Sequence, residues 1–310
     1  MIVHRRREGP PRSWVVLVAA LLAGVVVSSC AVRAVPALPG VVKVVAAESF
    51  WGSIAAQVGG PHVQVTSIIT NPNADPHSYE PTPADGRALS DAALVIDNGV
   101  GYDPWVHQLL GAAGGHRLVL TVASAVGAGP GANPHLWYDP RDVGAMISAY
   151  ASDLSRIDPA NQRDFAARAD KYEHGSLAPY HGLIDAIASR YRGTPVGASE
   201  SIFAMLAPAL GLALITPPGA MRAVSEGSEL TAADKSTIDR QIQNHLIKIF
   251  VYNRQNTTPD VTAQLAACRK AGIPTAVITE TLAPPSASYQ AWQTAQLEDI
   301  AAALAEATGR

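Results

Sequence analysis

Four short polar segments of the 310-residue chain carry side chains suited to one kind of chemistry. His77 stands in Asn71-Pro72-Asn73-Ala74-Asp75-Pro76-His77-Ser78-Tyr79-Glu80-Pro81-Thr82-Pro83. His135 stands in Asn133-Pro134-His135-Leu136-Trp137-Tyr138-Asp139-Pro140, Glu200 in Ala198-Ser199-Glu200-Ser201, and Glu280 in Thr279-Glu280-Thr281. The prolines around His77 fix φ and lower the entropy lost on ordering the loop, which suits an imidazole that must be aimed. Two imidazole nitrogens and two carboxylate oxygens suit Zn²⁺, Mn²⁺ or Fe²⁺. The two carboxylates also neutralise a divalent ion, offsetting the cost of burying its charge. Each segment has a plainer reading of its own. His77 could sit in an Asx/Pro surface turn, and Asp139 could simply cap a helix. Glu200 could be a helix-start carboxylate favoured by the dipole, and Glu280 a lone acid at a strand end. The shared chemistry sets the four apart.

These side chains need elements to hold them. Apolar runs at residues 41–46, 63–69, 93–97 and 117–122 alternate with helical patterns at 49–58, 83–90 and 104–110. The alternation restarts with strands at 194–198, 212–216, 247–252 and 274–279, and helices at 202–210, 232–244, 259–271 and 289–307. Nearly continuous apolar strands between helices predict parallel sheets covered on both faces. The fold class is therefore α/β, with one βα lobe over residues 41–157 and another over 193–310. Val143, Met146, Ile147, Tyr150 and Leu154 have helical spacing. Asp158-Pro159 reads as an N-cap with a first-turn proline. A connector helix over 158–192 follows, with a bend expected near Gly175 and Pro179. Ligands of open α/β sheets bind beyond the carboxyl ends of the strands. A cleft between the lobes would receive two imidazoles from one side and two carboxylates from the other.

The segments also resemble a known family. Pro76-His77-Ser78-Tyr79-Glu80-Pro81-Thr82-Pro83-Ala84-Asp85 looks like the first signature of the zinc/manganese-type (cluster A-I) substrate-binding lipoproteins of bacterial ABC transporters. Asn133 to Pro140 is similar to the second, Ser199-Glu200-Ser201-Ile202-Phe203 to the third, and Thr279-Glu280-Thr281 to the last. The similarity spans residues 41–310. It implies two Rossmann-like lobes joined by one long helix, with a buried metal held by His77, His135, Glu200 and Glu280. It also implies delivery of that metal to a membrane permease. Glu280 stands where Asp is usual, and residues 99–116 hold only His107 and His116 where zinc-capturing members often have a His/Asp-rich loop. Glu at the third position resembles the manganese/iron members. Zn²⁺ nevertheless stays nearly level, because it binds a given N/O site more tightly than Mn²⁺. Asp139 is a candidate acceptor for a ligating imidazole.

The start of the chain reads as an address. Arg5, Arg6, Arg7 and Arg12 precede an apolar run at 15–27 and then Ser28-Ser29-Cys30, the layout of a secretory signal peptide over residues 1–29. The run falls short of the roughly 20 apolar residues of a bilayer span. Val27-Ser28-Ser29-Cys30 resembles a bacterial lipobox. That resemblance implies acylation of Cys30 and export, with lipid anchoring to the outer face of the cytoplasmic membrane. Residues 30–40 would be the tether. Cys268 is expected to be a buried helix residue.

A net charge of −3 argues against an electrostatic nucleic-acid partner. The Gly-rich stretch at 127–131 lacks the phosphate-loop Lys, which argues against nucleotides. Gly197-Ala198-Ser199-Glu200-Ser201 misses the hydrolase nucleophile elbow by having Ser at the second Gly. A metallohydrolase would need an open coordination position where a fourth ligand is available. The expectation is a monomeric, non-enzymatic metal receptor. A Ser199 or metal-dependent hydrolase and a surface adhesin are the alternatives.

Overall fold

A computed structural model of the chain describes residues 40–72, 79–114 and 117–310. Cys30, His77 and His116 lie outside the described residues.

The first sheet holds β1 (Val42–Glu48), β2 (Val63–Ile69), β3 (Leu94–Asp97) and β4 (Leu118–Thr121). Its order is β2-β1-β3-β4, and every pairing is parallel. Val44 of β1 sits in register with Val65 of β2 and Leu94 of β3. β1 and β3 are buried nearly throughout, which is why they read as unbroken apolar runs. The helix α1 (Ser49–Gly59) crosses back with Phe50, Trp51, Ile54, Ala55 and Val58 turned inward. The helices α2 (Pro83–Asp91), α3 (Pro104–Ala113) and α4 (Val122–Val126) complete the lobe. A capping box of Thr82 and Asp85 starts α2.

The second sheet repeats the plan with β5 (Pro195–Ala198), β6 (Ala213–Leu214), β7 (Phe250–Asn253) and β8 (Thr275–Ile278). Its order is β6-β5-β7-β8, again all parallel. In each sheet the connections leave the first strand in opposite directions. A crevice therefore opens past the carboxyl ends of β1 and β3, and of β5 and β7. The helices here are α8 (Phe203–Leu206), α9 (Pro218–Ser225), α10 (Ala232–Gln243), α11 (Pro259–Ala271) and α12 (Tyr289–Thr308).

Between the sheets run α5 (Pro140–Ile157), α6 (Gln162–Lys171) and α7 (Ala178–Tyr191), with a short break at residues 158–161. One π-helical turn, Tyr172–Ser176, joins α6 to α7 around Gly175. Pro179 lies in the first turn of α7, where its missing N–H breaks no ladder. A single apolar core runs through both lobes. It includes Val44, Phe50 and Ile96 from the first, Phe203, Val251 and Ile278 from the second, and Tyr150, Leu154 and Tyr180 between them. Cys268 is free and buried on α11.

Three local features differ from expectation. The helix expected over 202–210 is the single turn α8, because Pro208 has no N–H to extend the ladder. The strand expected over 212–216 is reduced to two residues. Two helices, α4 and α9, stand where none was expected; α9 opens on Pro217-Pro218. Among the described residues no helix is long and apolar enough to cross a membrane.

Candidate metal centre

His135 is aimed by the turn before α5. Asn98 Nδ2 donates to the Pro134 carbonyl at 2.8 Å, and Asn133 Nδ2 donates to the Ser201 carbonyl at 2.6 Å. Asn98 is itself held: Trp51 Nε1 donates to its Oδ1 at 3.2 Å, and its backbone N–H donates to Asp103 Oδ2 at 2.6 Å. Trp137 stacks on Phe50 with ring centroids 4.0 Å apart. Tyr138 donates its hydroxyl to the Thr279 carbonyl at 2.7 Å, so this turn grips the second lobe directly.

Asn133 also fixes the state of the imidazole. Its Nδ2 is committed to Ser201, so its Oδ1 faces His135, 2.7 Å from Nδ1 and 3.1 Å from the backbone N. An amide oxygen only accepts, so Nδ1 carries the proton and Nε2 keeps its lone pair. That Nε2 is 3.7 Å from Glu280 Oε1.

Glu200 follows β5 and Glu280 follows β8, and both are buried. Asn253, the last residue of β7, stands between them. Its Nδ2 donates to Glu200 Oε2 at 3.0 Å and to Glu280 Oε1 at 3.3 Å. Tyr102 donates to Glu280 Oε2 at 3.4 Å. One donor atom each from His135, Glu200 and Glu280 lie within 4.8 Å of one another. Those three were expected from the sequence, and the structure brings them together. His77, the fourth, lies outside the described residues.

The electrostatics suit a cation. Burial, and then the neighbouring Glu280 charge, push Glu200 up to about 8. Burial pulls His135 down to about 4 against the opposing pull of Glu200, so the imidazole is neutral near pH 7. Two acids crowded together out of water repel one another, and a divalent ion between them would relieve that repulsion.

Asp139 requires a correction. It caps α5 by accepting from Arg141 N at 2.9 Å, and its second oxygen pairs with Arg141 Nη2 at 2.7 Å. The acceptor on the imidazole is Asn133, which stands nearer in the turn. Ser199 is buried, and its Oγ accepts from Asn253 N at 3.3 Å. Sequence reasoning missed Asn253 and Gln255. Their one signal is the polar run Asn253-Arg254-Gln255-Asn256 directly after a buried strand.

The sequence profile of the family described as "Zinc-uptake complex component A periplasmic" matches residues 44–303. The chain belongs to this family. Curated relatives to which the chain is similar include the manganese-binding lipoprotein MntA of Halalkalibacterium halodurans. It is 30% identical over 135 residues, covering 42% of this chain and 44% of the relative. The high-affinity zinc uptake protein ZnuA of Paracoccus denitrificans is 26% identical over 188 residues, covering 47% and 57%. The chain thus spans about half the length of the curated relatives it matches. The Mn-bound form of a periplasmic metal-binding protein from Candidatus Liberibacter asiaticus superposes with a TM-score of 0.70. Its identity is 18%, with 85% of this chain and 99% of that chain covered. At that identity the likeness speaks for the two-lobed fold.

Proposed function

We propose that the protein is an extracytoplasmic receptor of an ABC importer. It captures one divalent transition metal ion as its cargo and delivers it to the membrane permease. The observation that carries this reading is the convergence of His135, Glu200 and Glu280 within 4.8 Å at the meeting of the lobes. His77 is the fourth ligand in this proposal, supplied by the loop after β2. The cargo is Mn²⁺ or Zn²⁺, with Fe²⁺ as a third candidate. Relatives named as manganese-binding, iron-binding and zinc-binding support the class and leave the metal open.

The receptor makes and breaks no bonds in a substrate. It acts as a monomer, exported by the signal peptide at residues 1–29 and held on the outer face of the cytoplasmic membrane by lipid on Cys30. Its residues 41–157 and 193–310 are the two lobes, and 158–192 connects them. Neutral imidazole and ionised carboxylate are the forms that bind, so capture releases protons.

Elemental analysis of protein purified without chelator, followed by Mn²⁺/Zn²⁺ competition, tests the proposal. About one equivalent of metal is expected, lost on His135→Ala. Metal-free protein that takes up neither ion, or equal uptake by His135→Ala, contradicts it.

A further inference from the structure

We infer that Gln255 is a positioning residue, an interlobe tie that sets how fast the captured ion leaves. The inference rests on the metal-receptor reading above.

Gln255 lies two residues past Asn253, in the loop after β7, and is half-buried. Its Oε1 accepts from two backbone donors, Glu280 N at 2.6 Å and Thr281 N at 3.1 Å. Two N–H groups can face only an acceptor, so the orientation of the amide is dictated. Nε2 must then point the other way. There it donates to Thr281 Oγ1 at 2.6 Å and to the carbonyl of Pro72. All four hydrogen-bonding positions of the side-chain amide are used.

The partners belong to different lobes. Glu280 and Thr281 follow β8, whereas Pro72 follows β2. The backbone N–H of Gln255 also donates to Asn253 Oδ1 at 2.9 Å, and Asn253 Nδ2 holds both carboxylates. The Gln255 side chain therefore joins the first lobe to the backbone of a ligand, and its backbone N–H links it through Asn253 to both acids. It also lines the interlobe cleft of about 780 Å³, together with Pro134, Ser201 and Glu280. The lobes cannot part at the ligands without breaking the Gln255–Pro72 bond. The tie is placed to oppose release more than capture, because it forms only when the lobes are together.

Stopped-flow release of Mn²⁺ into excess chelator, on the full chain, tests this. Gln255→Ala is expected to release the ion about two- to tenfold faster, the span one net hydrogen bond confers. Its association rate should stay within about twofold. Gln255→Glu still accepts from Glu280 N and Thr281 N but has no donor for Pro72, so it too should release faster. Its added negative charge near the ligands favours the bound cation, whereas its repulsion of the Pro72 carbonyl adds to the loss of the donor. Should the Ala variant not fold, the Glu variant decides alone. Wild-type release from Gln255→Glu overturns the tie, and if Gln255→Ala is fast beside it, Gln255 acts only by fixing Glu280. A wild-type protein that binds no Mn²⁺ or Zn²⁺ overturns the receptor reading and this inference together. Bound metal with unaltered variants overturns the tie alone.

Discussion

At the scale of single residues, burial reassigns which group controls the pH response. His135 would titrate near 6.5 in water, and the sequence alone would place the loss of metal affinity there. Burial pulls His135 down to about 4, so the imidazole is already neutral at mildly acidic pH. Burial and Glu280 push Glu200 up to about 8, so Glu200 still holds its proton near pH 7. An ion must displace that proton, and lowering the pH strengthens the competition. Affinity is therefore expected to climb as pH rises from about 6 to about 8, by up to roughly tenfold per unit, and to level off above. Competition titrations across that range check the slope. A steep rise ending near pH 6.5 would return control to an unperturbed imidazole. The ligand types were legible in the sequence because Pro-His and strand-end Glu mark themselves. Asn133 and Asn253 were not, because their importance lies in partners remote in the chain, such as Ser201 and the Glu200–Glu280 pair.

At the scale of elements, the strand ends carry the site, so the packing of helices on strands sets its precision. α1 approaches β2 closely at Gly59. A Cβ placed there would lie 2.3 Å from Val63 Cγ2 and 2.9 Å from Val63 Cβ, so no rotation of Val63 makes room. Alanine gains up to about 1 kcal/mol over glycine in helix propensity. Overpacking costs about 1–3 kcal/mol, so the clash wins. Gly59→Ala is expected to lower the melting temperature by a few degrees, measured by thermal denaturation. A variant that melts at or above wild type would show that β2 gives way without cost. The strands were legible because β1, β3, β5 and β7 are mostly buried on both faces and so read as apolar runs. β6 was less so: Leu212 and Ile215 extend its apolar pattern, but pairing with β5 covers only Ala213 and Leu214.

At the scale of the whole molecule, the lobes share one core and meet around three buried donor atoms. An ion that binds only the folded chain stabilises it by RT ln(1 + [L]/Kd), about 4 kcal/mol at a thousandfold excess over Kd. Thermal melts with Mn²⁺ and with Zn²⁺ should therefore shift upward, and the shift should vanish in Glu200→Gln. A melt indifferent to both ions would mean that the donors do not act together. An equal shift in the Glu200 variant would place the ion elsewhere.

The amino-acid order alone specified two rounds of βα alternation, the helical stretch between them, and two His and two Glu residues at loop positions after strands. Those features are local, written in apolar spacing, proline placement and side-chain type. Only the tertiary structure decided that His135, Glu200 and Glu280 meet, that Asn133 rather than Asp139 orients the imidazole, and that Gln255 bridges the lobes. These depend on contacts between segments separated by tens to nearly two hundred residues. Such contacts form when burial of a shared core brings distant strand ends together, and no local pattern records which polar groups then face one another.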